Sequence, residues 1–220
     1  MNRHRILYTL GVVFALLCSC TDYDTWTSDP RAHLTFGNDT ISFDTILSTV
    51  SSSTQRLLVY NNNKEGLRIN EVRLKKASAS PFRVNVDGEF LQGGTGYDFE
   101  VRGNDSIFVL LEATLPEANV DTIITYSDSL CFLLESGEMQ YVTLLADGQD
   151  ALHWRGVTVV DKDTTFKSKR PIIIYDSLYV SSGATLQIEA GTNLYFHQHA
   201  SMCVDGTLKV NGTLENPVVF

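Results

Sequence analysis

The chain has 220 residues, of which 43% are hydrophobic, and its formal net charge is −9. This hydrophobic share is ordinary for a globular protein and is enough for one large domain or two modest ones. The excess of 26 acidic over 17 basic residues argues against a nucleic-acid partner, because phosphate backbones are bound by clustered lysine and arginine. The short basic run KSKR at Lys167–Arg170 is more typical of a solvated loop than of a binding patch.

The start of the chain has the pattern of an export signal. A basic start precedes an apolar run of twelve residues at Ile6–Leu17, which is short for a bilayer span and typical of a signal peptide. The LCSC at Leu17–Cys20 resembles a bacterial lipobox, with an ordinary signal peptide and incidental cysteines as the alternative. We predict a signal peptide over 1–19, lipidation of Cys20, and a polar tether over 20–32.

Between residues 33 and 150, apolar and polar residues alternate in short runs. Turn clusters such as YNNNKEG, VDGE, QGGTG and RGND separate these runs, and no window has a helical period with caps. The pattern predicts eight or so short strands in an antiparallel, immunoglobulin-like β-sandwich over 33–150. The uniformly apolar SIFVLLEATL at 106–115 predicts a central strand covered on both faces.

The last part of the chain repeats itself at one fixed spacing. The aligned pairs are Ile172 with Leu194, Ile174 with Phe196, Val180 with Met202, Thr185 with Thr207, Leu186 with Leu208, and Ile188 with Val210. Two units of equal length, built from short alternating pieces with glycine or polar corners, indicate a solenoid with one coil per unit. We predict a junction over 151–169 and an incomplete β-helix of about two coils over 170–220.

These segments together resemble one family. The stretch SGATLQIEAGTNLYFHQHASMCVDGTLKVNGTLENPVVF is similar to the opening coils of right-handed parallel β-helix lipoproteins of Gram-negative gut anaerobes. TISFDTILSTVSSSTQRLLVYNNNKEGLRINEVRL resembles their first domain. The resemblance implies an all-β chain, with an N-terminal immunoglobulin-like β-sandwich followed by the first coils of a right-handed parallel β-helix. Family members continue for many more coils, so this chain is expected to be a truncated form.

A recurring tripeptide suggests modification. Aspartate, a hydroxyl residue and then isoleucine, leucine or threonine occur together seven times, as in DTI at Asp39 and DSL at Asp128. The pattern resembles the O-glycosylation consensus of exported proteins in the same bacterial group. The alternative is that Asp-Thr and Asp-Ser open strands after turns. The candidate glycosylation sites are Thr40, Thr45, Ser106, Thr122, Ser129, Thr164 and Ser177.

Few residues carry a pattern typical of metal binding or aromatic recognition. His197 and His199 are two apart on one predicted strand, a spacing that metal sites use, but no nearby cysteine or glutamate completes a ligand set. They are weak candidates, and we predict no metal and no cofactor. Trp154 is expected to pack the sandwich against the first coil, with sugar stacking as the alternative. Cys131 and Cys203 are expected to be small buried hydrophobes rather than a disulfide pair.

The function expected from these features is non-enzymatic. The chain has no nucleophile elbow, phosphate-binding loop or HExxH motif, and no paired carboxylates suited to glycoside hydrolysis, so no catalytic residue is predicted. We expect a lipoprotein of the cell envelope, anchored in the outer membrane and facing the periplasm or the surface, that binds a polysaccharide or a surface protein. The alternatives are a truncated remnant of a β-helix polysaccharide lyase or hydrolase and a purely structural spacer.

Overall fold

The computed structural model of the protein describes residues 25–220, so the predicted signal peptide at 1–19 and Cys20 lie outside the described residues. Within this range the chain forms nineteen strands and two short 3-10 turns, Ala77–Ala79 and Gln92–Gly94, and contains no helix long and apolar enough to cross a membrane. The strands are β1 Thr35–Phe36, β2 Thr40–Leu47, β3 Gln55–Asn61, β4 Leu67–Leu74, β5 Phe82–Val86, β6 Glu89–Phe90, β7 Thr95–Val101, β8 Asp105–Ala113, β9 Ile124–Leu134, β10 Met139–Gln149, β11 Leu152–Trp154, β12 Thr158–Val160, β13 Thr164–Phe166, β14 Ile172–Ile174, β15 Ser177–Val180, β16 Thr185–Glu189, β17 Leu194–Phe196, β18 Ser201–Val204 and β19 Thr207–Asn211.

The first ten strands form two five-stranded sheets around one core. The strand orders are β1-β3-β8-β5-β6 and β2-β10-β9-β4-β7. Every strand pair in the described sandwich is antiparallel except β2 with β10, which run parallel. Fully buried side chains from both sheets, among them Leu57, Val109, Phe132 and Leu144, fill the space between them. The predicted all-β, sandwich-like architecture is confirmed, with ten strands rather than about eight.

The central strand β8 differs from its prediction on one face. It lies in the middle of its sheet, and Ile107, Val109 and Leu111 are buried. Phe108 is exposed and Leu110 is half-buried, so only one face of β8 is covered. The expectation of a strand covered on both faces is wrong, because a two-sheet sandwich packs one face of each sheet and leaves the other toward solvent.

The segment before β1 lies against the sandwich. The Thr27 N–H donates to the Gly66 carbonyl at 3.0 Å, and the guanidinium carbon of Arg68 lies 5.0 Å from the centre of the Trp26 ring. A side chain at residue 66 would collide with that ring, since an added Cβ would come within 2.4 Å of it. The described part of the predicted tether, residues 25–32, is therefore docked on the fold from Trp26 onward.

The last nine strands form three short parallel sheets, β11-β14-β17, β12-β15-β18 and β13-β16-β19. The chain passes through the three sheets in the same order three times, and it returns to the first sheet twice, at β14 and at β17. The predicted pairings of Ile172 with Leu194 and of Leu186 with Leu208 are confirmed. The pairing of Val180 with Met202 is wrong by two positions, because Val180 pairs with Val204.

Corner lengths explain this shift. Two residues separate β14 from β15, whereas four separate β17 from β18. The next corner compensates, with four residues between β15 and β16 and two between β18 and β19. Between these two turns of the chain, partners in the second sheet are therefore farther apart in sequence than partners in the first and third sheets.

The segment predicted as a junction already belongs to the parallel sheets. Residues 151–169 supply β11, β12 and β13, which pair with β14, β15 and β16. Leu152 pairs with Ile172, whereas Thr164 pairs with Leu186, so the sequence spacing between partners grows along this turn. The changing spacing hides this first turn from a search at one fixed period.

Trp154 and the two cysteines take places that their strand registers dictate. Trp154 is in register with buried Ile174 and packs edge-on against Phe166, with ring centroids 4.8 Å apart. It is half-buried and packs against the core of the parallel sheets, so its expected role between sandwich and coil is wrong. Cys131 is buried as expected, but Cys203 is exposed, and both are free thiols. Cys203 follows Met202, which packs against the core, so strand alternation turns its thiol outward.

Candidate functional site

A buried carboxylate fixes the end of the sandwich next to the parallel sheets. Asp150 accepts hydrogen bonds from the Ser48 hydroxyl at 2.7 Å, the Ala118 N–H at 3.0 Å and the Val120 N–H at 2.8 Å. Burial acts to raise the pKa of Asp150, but hydrogen bonds from Ser48 and from the backbone of Ala118, Val120 and Asn119 outweigh it and hold the pKa below its usual value. The loop before β9 is thereby tied to the last residue of the sandwich.

Two further contacts cross from the sandwich to the parallel sheets. The Arg170 Nε atom lies 2.7 Å from Oδ1 of Asp121. The Thr49 hydroxyl oxygen lies 3.2 Å from Nε2 of His153 on β11. Asp121 lies in the loop that Asp150 holds, and His153 lies shortly after Asp150 in the sequence. The boundary between the sandwich and the parallel sheets is therefore a defined, polar interface.

Two rings and a guanidinium group lie in a row at the end of the first parallel sheet where its strands finish. Arg155, Tyr175 and His197 each come directly after one of its strands, and together with His153 we call them the Tyr175 stack. The guanidinium carbon of Arg155 lies 4.0 Å from the centre of the Tyr175 ring, and the His197 ring stacks on that ring at 5.0 Å. Nδ1 of His153 lies 3.0 Å from the Tyr175 hydroxyl oxygen. The stack joins successive turns of the chain on their outer side.

An exposed tyrosine extends this outer surface. Tyr195 is in register with Ile173 on β14, which is in turn in register with His153 on β11. Its neighbours Leu194 and Phe196 pack toward the core, so Tyr195 points outward, and 44% of its surface is exposed. Because neighbouring side chains on a strand point to opposite faces, the Tyr195 ring faces solvent on the outer side of the first parallel sheet, the side on which the Tyr175 stack lies.

The histidines that were weak metal candidates do not form a metal site in this arrangement. β17 ends at Phe196, so His197 and His199 lie in the following corner and not on one strand face, and that expectation is wrong. His197 is engaged with Tyr175, and His199 has a φ of 70°. Across residues 25–220 no group of three or more histidine, cysteine, aspartate or glutamate side chains is placed to hold a metal ion.

A groove lies where the sandwich meets the corner before the first parallel sheet. This junction groove has a volume of about 800 Å³. Its lining residues are Asp121, Leu152, Lys167, Ser168, Lys169, Arg170, Ala190, Gly191 and Asn216. The Ser168 hydroxyl donates to the Arg170 carbonyl at 2.7 Å and accepts from the Arg170 N–H at 3.1 Å, which fixes the local turn. The basic run KSKR, interpreted from sequence as a solvated loop, thus forms one wall of a groove.

The candidate glycosylation residues differ in their accessibility. Thr40 and Thr45 are exposed on the edge strand β2, and Thr122 is exposed in the loop before β9. The half-buried candidates are Ser106, Ser129, Thr164 and Ser177. Carboxylates of the same tripeptides bond backbone N–H groups, as Asp163 does with Thr185 at 2.8 Å and Asp176 with Gly156 at 2.7 Å. These two bonds join residues on successive turns of the chain and are not the local bonds of a strand-opening turn, so glycosylation and the turn alternative both stay predictions.

Comparisons with known proteins concern the fold. No protein family and no curated protein matches the chain. Among solved structures, it is similar to a family 123 glycoside hydrolase from Clostridium perfringens, with a TM-score of 0.38, 6% identity and coverage of 57% of this chain and 31% of that chain. A PapD-like domain of human CEP192 has a TM-score of 0.36 and 13% identity, with 60% and 96% covered. A protein of unknown function from Porphyromonas gingivalis W83 has a TM-score of 0.34 and 17% identity, with 60% and 58% covered.

The extent of these likenesses limits what they indicate. The chain spans less than a third of the glycoside hydrolase chain that it matches. The highest identity of the three is 17%, and the highest TM-score is 0.38. At these TM-scores and identities the likenesses carry no argument about the fold, activity or partners of this chain.

Proposed function

We propose that the protein is an exported, lipid-anchored module of the cell envelope that binds glycans and catalyses no reaction. In this proposal the three parallel sheets are the first coils of a right-handed parallel β-helix, and the sandwich holds them away from the membrane. Support for the coils comes from the way in which the chain visits three sheets in rotation, with each strand paired to its equivalent on the next turn. Support for the anchor comes from the lipobox-like LCSC that ends at Cys20.

The observation that carries glycan binding is the outer face of the first parallel sheet. Tyr195 offers an exposed ring, and the Tyr175 stack places imidazole and guanidinium groups on the same side of successive turns. Aromatic rings combine a large apolar surface with a polar tip, which suits the apolar face and the hydroxyl rim of a sugar ring. Binding sites commonly pair such rings with a few fixed polar groups. The Tyr175 hydroxyl, which lies 3.0 Å from Nδ1 of His153, supplies a fixed polar group.

Replacing Tyr195 by alanine is expected to weaken binding of a neutral polysaccharide about tenfold, because the half-exposed ring would be covered on binding, which is worth about 1.4 kcal/mol. Affinity electrophoresis through gels that each contain one polysaccharide measures this, followed by titration calorimetry on any that retards the protein. Tyr141→Ala is the matched control, since Tyr141 is an exposed tyrosine on the sandwich strand β10.

The outcomes of this experiment separate the candidate functions. An equal loss of affinity in Tyr195→Ala and Tyr141→Ala would remove Tyr195 from the binding surface. Failure of the parent protein to bind any polysaccharide in the panel would favour a structural spacer. Release of new reducing ends during incubation would favour the polysaccharide-cleaving alternative and contradict the non-enzymatic proposal.

The anchor has its own test in the native host. Cys20→Ala is expected to abolish incorporation of a labelled palmitate, because the lipidated cysteine carries the acyl chains that make attachment stable. Cys18→Ala is the matched control, since it removes a neighbouring thiol and leaves Cys20 in place. Label that persists in Cys20→Ala, or that disappears only in Cys18→Ala, contradicts Cys20 as the anchor.

A further inference from the structure

We propose that the junction groove binds an anionic saccharide, a sugar chain bearing uronate carboxylates or sulfates, through Lys167, Lys169 and Arg170. This inference rests on the proposed glycan-binding function and adds the charge of the ligand and a second contact region. The groove lies at the corner before β14, whereas the Tyr175 stack follows the same strand. The two regions therefore lie at opposite ends of the first parallel sheet.

Charge is the first argument for an anion. In a chain with a net charge of −9, three of the 17 basic residues fall within four positions, and all three line this groove. Asp121 is the acid among the lining residues, and its carboxylate is paired with Arg170 at 2.7 Å. Within residues 25–220, Lys167 and Lys169 form no ion pair. Two ammonium groups are therefore available to a ligand on a protein whose overall charge repels anions.

Preorganisation is the second argument. The volume of about 800 Å³ lies within the range of known ligand sites, and such sites often occur where two structural units meet. The Ser168 hydroxyl holds the turn between the two lysines, and Asp121 holds Arg170. Because the backbone that carries the cations is already fixed, binding loses less conformational entropy than it would on a free loop.

The remaining lining residues favour a sugar over a peptide. Leu152, Ala190 and Gly191 give an apolar patch for the face of a sugar ring, and the Asn216 side chain can bond hydroxyl groups. A bound peptide strand would need free main-chain groups along a sheet edge. Here the Gly191 N–H already donates to the Asn216 carbonyl at 3.1 Å, and the Leu152 N–H donates to the Pro171 carbonyl at 2.7 Å. Lysine ammonium groups suit single carboxylates and sulfates as compact point charges.

The test uses the double variant Lys167→Gln with Lys169→Gln, which removes two charges and keeps the length of the side chains similar. Titrations of polygalacturonate, dextran sulfate, neutral dextran and poly-glutamate are run at two salt concentrations. The parent is expected to bind at least one anionic polymer more tightly than dextran, and the variant to lose about tenfold in that affinity and most of its salt dependence. Lys64→Gln with Lys75→Gln, two exposed lysines on the sandwich, is the control.

Each outcome has a defined meaning. An equal loss in the control variant, or a parent that prefers dextran, overturns the groove as an anionic-saccharide site. Poly-glutamate that binds as tightly as the anionic sugars overturns the sugar part of the inference. If neutral polysaccharide binding remains sensitive to Tyr195→Ala while anionic preference is absent, this inference fails and the proposed function stands. If no polysaccharide binds at all, both fail.

Discussion

Replacement of Asp150 by alanine is expected to lower the free energy of unfolding by about 2–4 kcal/mol, because hydrogen bonds to a charged group are stronger than those to a neutral one. The substitution would leave the Ser48 hydroxyl and the N–H groups of Ala118 and Val120 without their partner. These groups lie in a loop and at the end of a strand, where no β-sheet hydrogen bonds would give them new partners. The loss should appear as a lower urea midpoint with an unchanged slope.

A neighbouring carboxylate provides the comparison. Asp147 lies on the preceding strand β10, and its carboxylate accepts a hydrogen bond from the exposed Thr125 hydroxyl at 2.6 Å. Because water can replace that contact, Asp147→Ala is expected to cost less than about 1 kcal/mol. Equal losses in the two variants would mean that Asp150 contributes no more to the stability of the boundary than the half-buried Asp147 does.

The Asp150 carboxylate should also make the stability of the protein depend on pH. Despite the opposing effect of burial, hydrogen bonds from Ser48 and the loop backbone keep the pKa of Asp150 below its usual value in the folded protein. Its stabilisation is therefore fully present above the unfolded-state pKa of about 3.9 and is lost as the pH falls through the lower folded-state pKa. The difference in stability between the parent and Asp150→Asn should shrink from pH 6 toward pH 2. A difference that stays constant contradicts this assignment.

Leu186→Ala is expected to destabilise the parallel sheets by about 2–5 kcal/mol, the cost of removing a buried leucine and leaving a cavity. Leu186 is 0% exposed and lies on β16, the middle strand of its sheet. Its register partner Leu208 on β19 is 36% exposed, so Leu208→Ala is expected to cost less than about 1.5 kcal/mol. The two variants compare the same substitution at equivalent positions of successive turns.

The two tryptophans allow this measurement to be made on one part of the chain. Trp154 packs against the core of the parallel sheets, whereas Trp26 packs on the sandwich. In a Trp26→Phe background, fluorescence during urea unfolding reports on the parallel sheets, and circular dichroism reports on the whole chain. Equal losses from Leu186→Ala and Leu208→Ala would show that β19 is held as firmly as β16.

The sequence predicted the sandwich well because its physical signature is local. In an antiparallel sheet with one solvated face, residues two apart share an environment, so alternation such as Phe82, Val84 and Val86 in β5 is visible in a short window. The parallel sheets were harder to place, because their register depends on corner lengths that a composition pattern does not contain. The pairing of Val180 is the clearest case, since one corner lengthened and the next shortened while the length of the whole turn stayed constant.

The candidate site was less visible for a similar reason. The junction groove joins residues from near 121, 152, 167–170, 190 and 216, and no periodicity relates a sandwich loop to the corners of the later sheets. The Tyr175 stack did leave a signal, because His197 follows Tyr175 at the same spacing that separates Ile172 from Leu194. The predicted repeat aligns mainly apolar residues. Comparing aromatic and cationic residues at the same spacing would also have predicted that Tyr175 and His197 are neighbours.

The parallel pairing of β2 with β10 determines how the sandwich transmits mechanical force. The chain enters β2 at Thr40 and leaves β10 at Gln149, and the two strands are paired from Thr40 with Thr143 to Leu47 with Gln149. A pull on the chain before β2 and after β10 drags these strands lengthwise past each other. Their hydrogen bonds are then strained together rather than opened one after another, so the unfolding rate under load depends on breaking the whole set at once. A domain with this strand arrangement resists a force that pulls its beginning and its end in opposite directions along the paired strands.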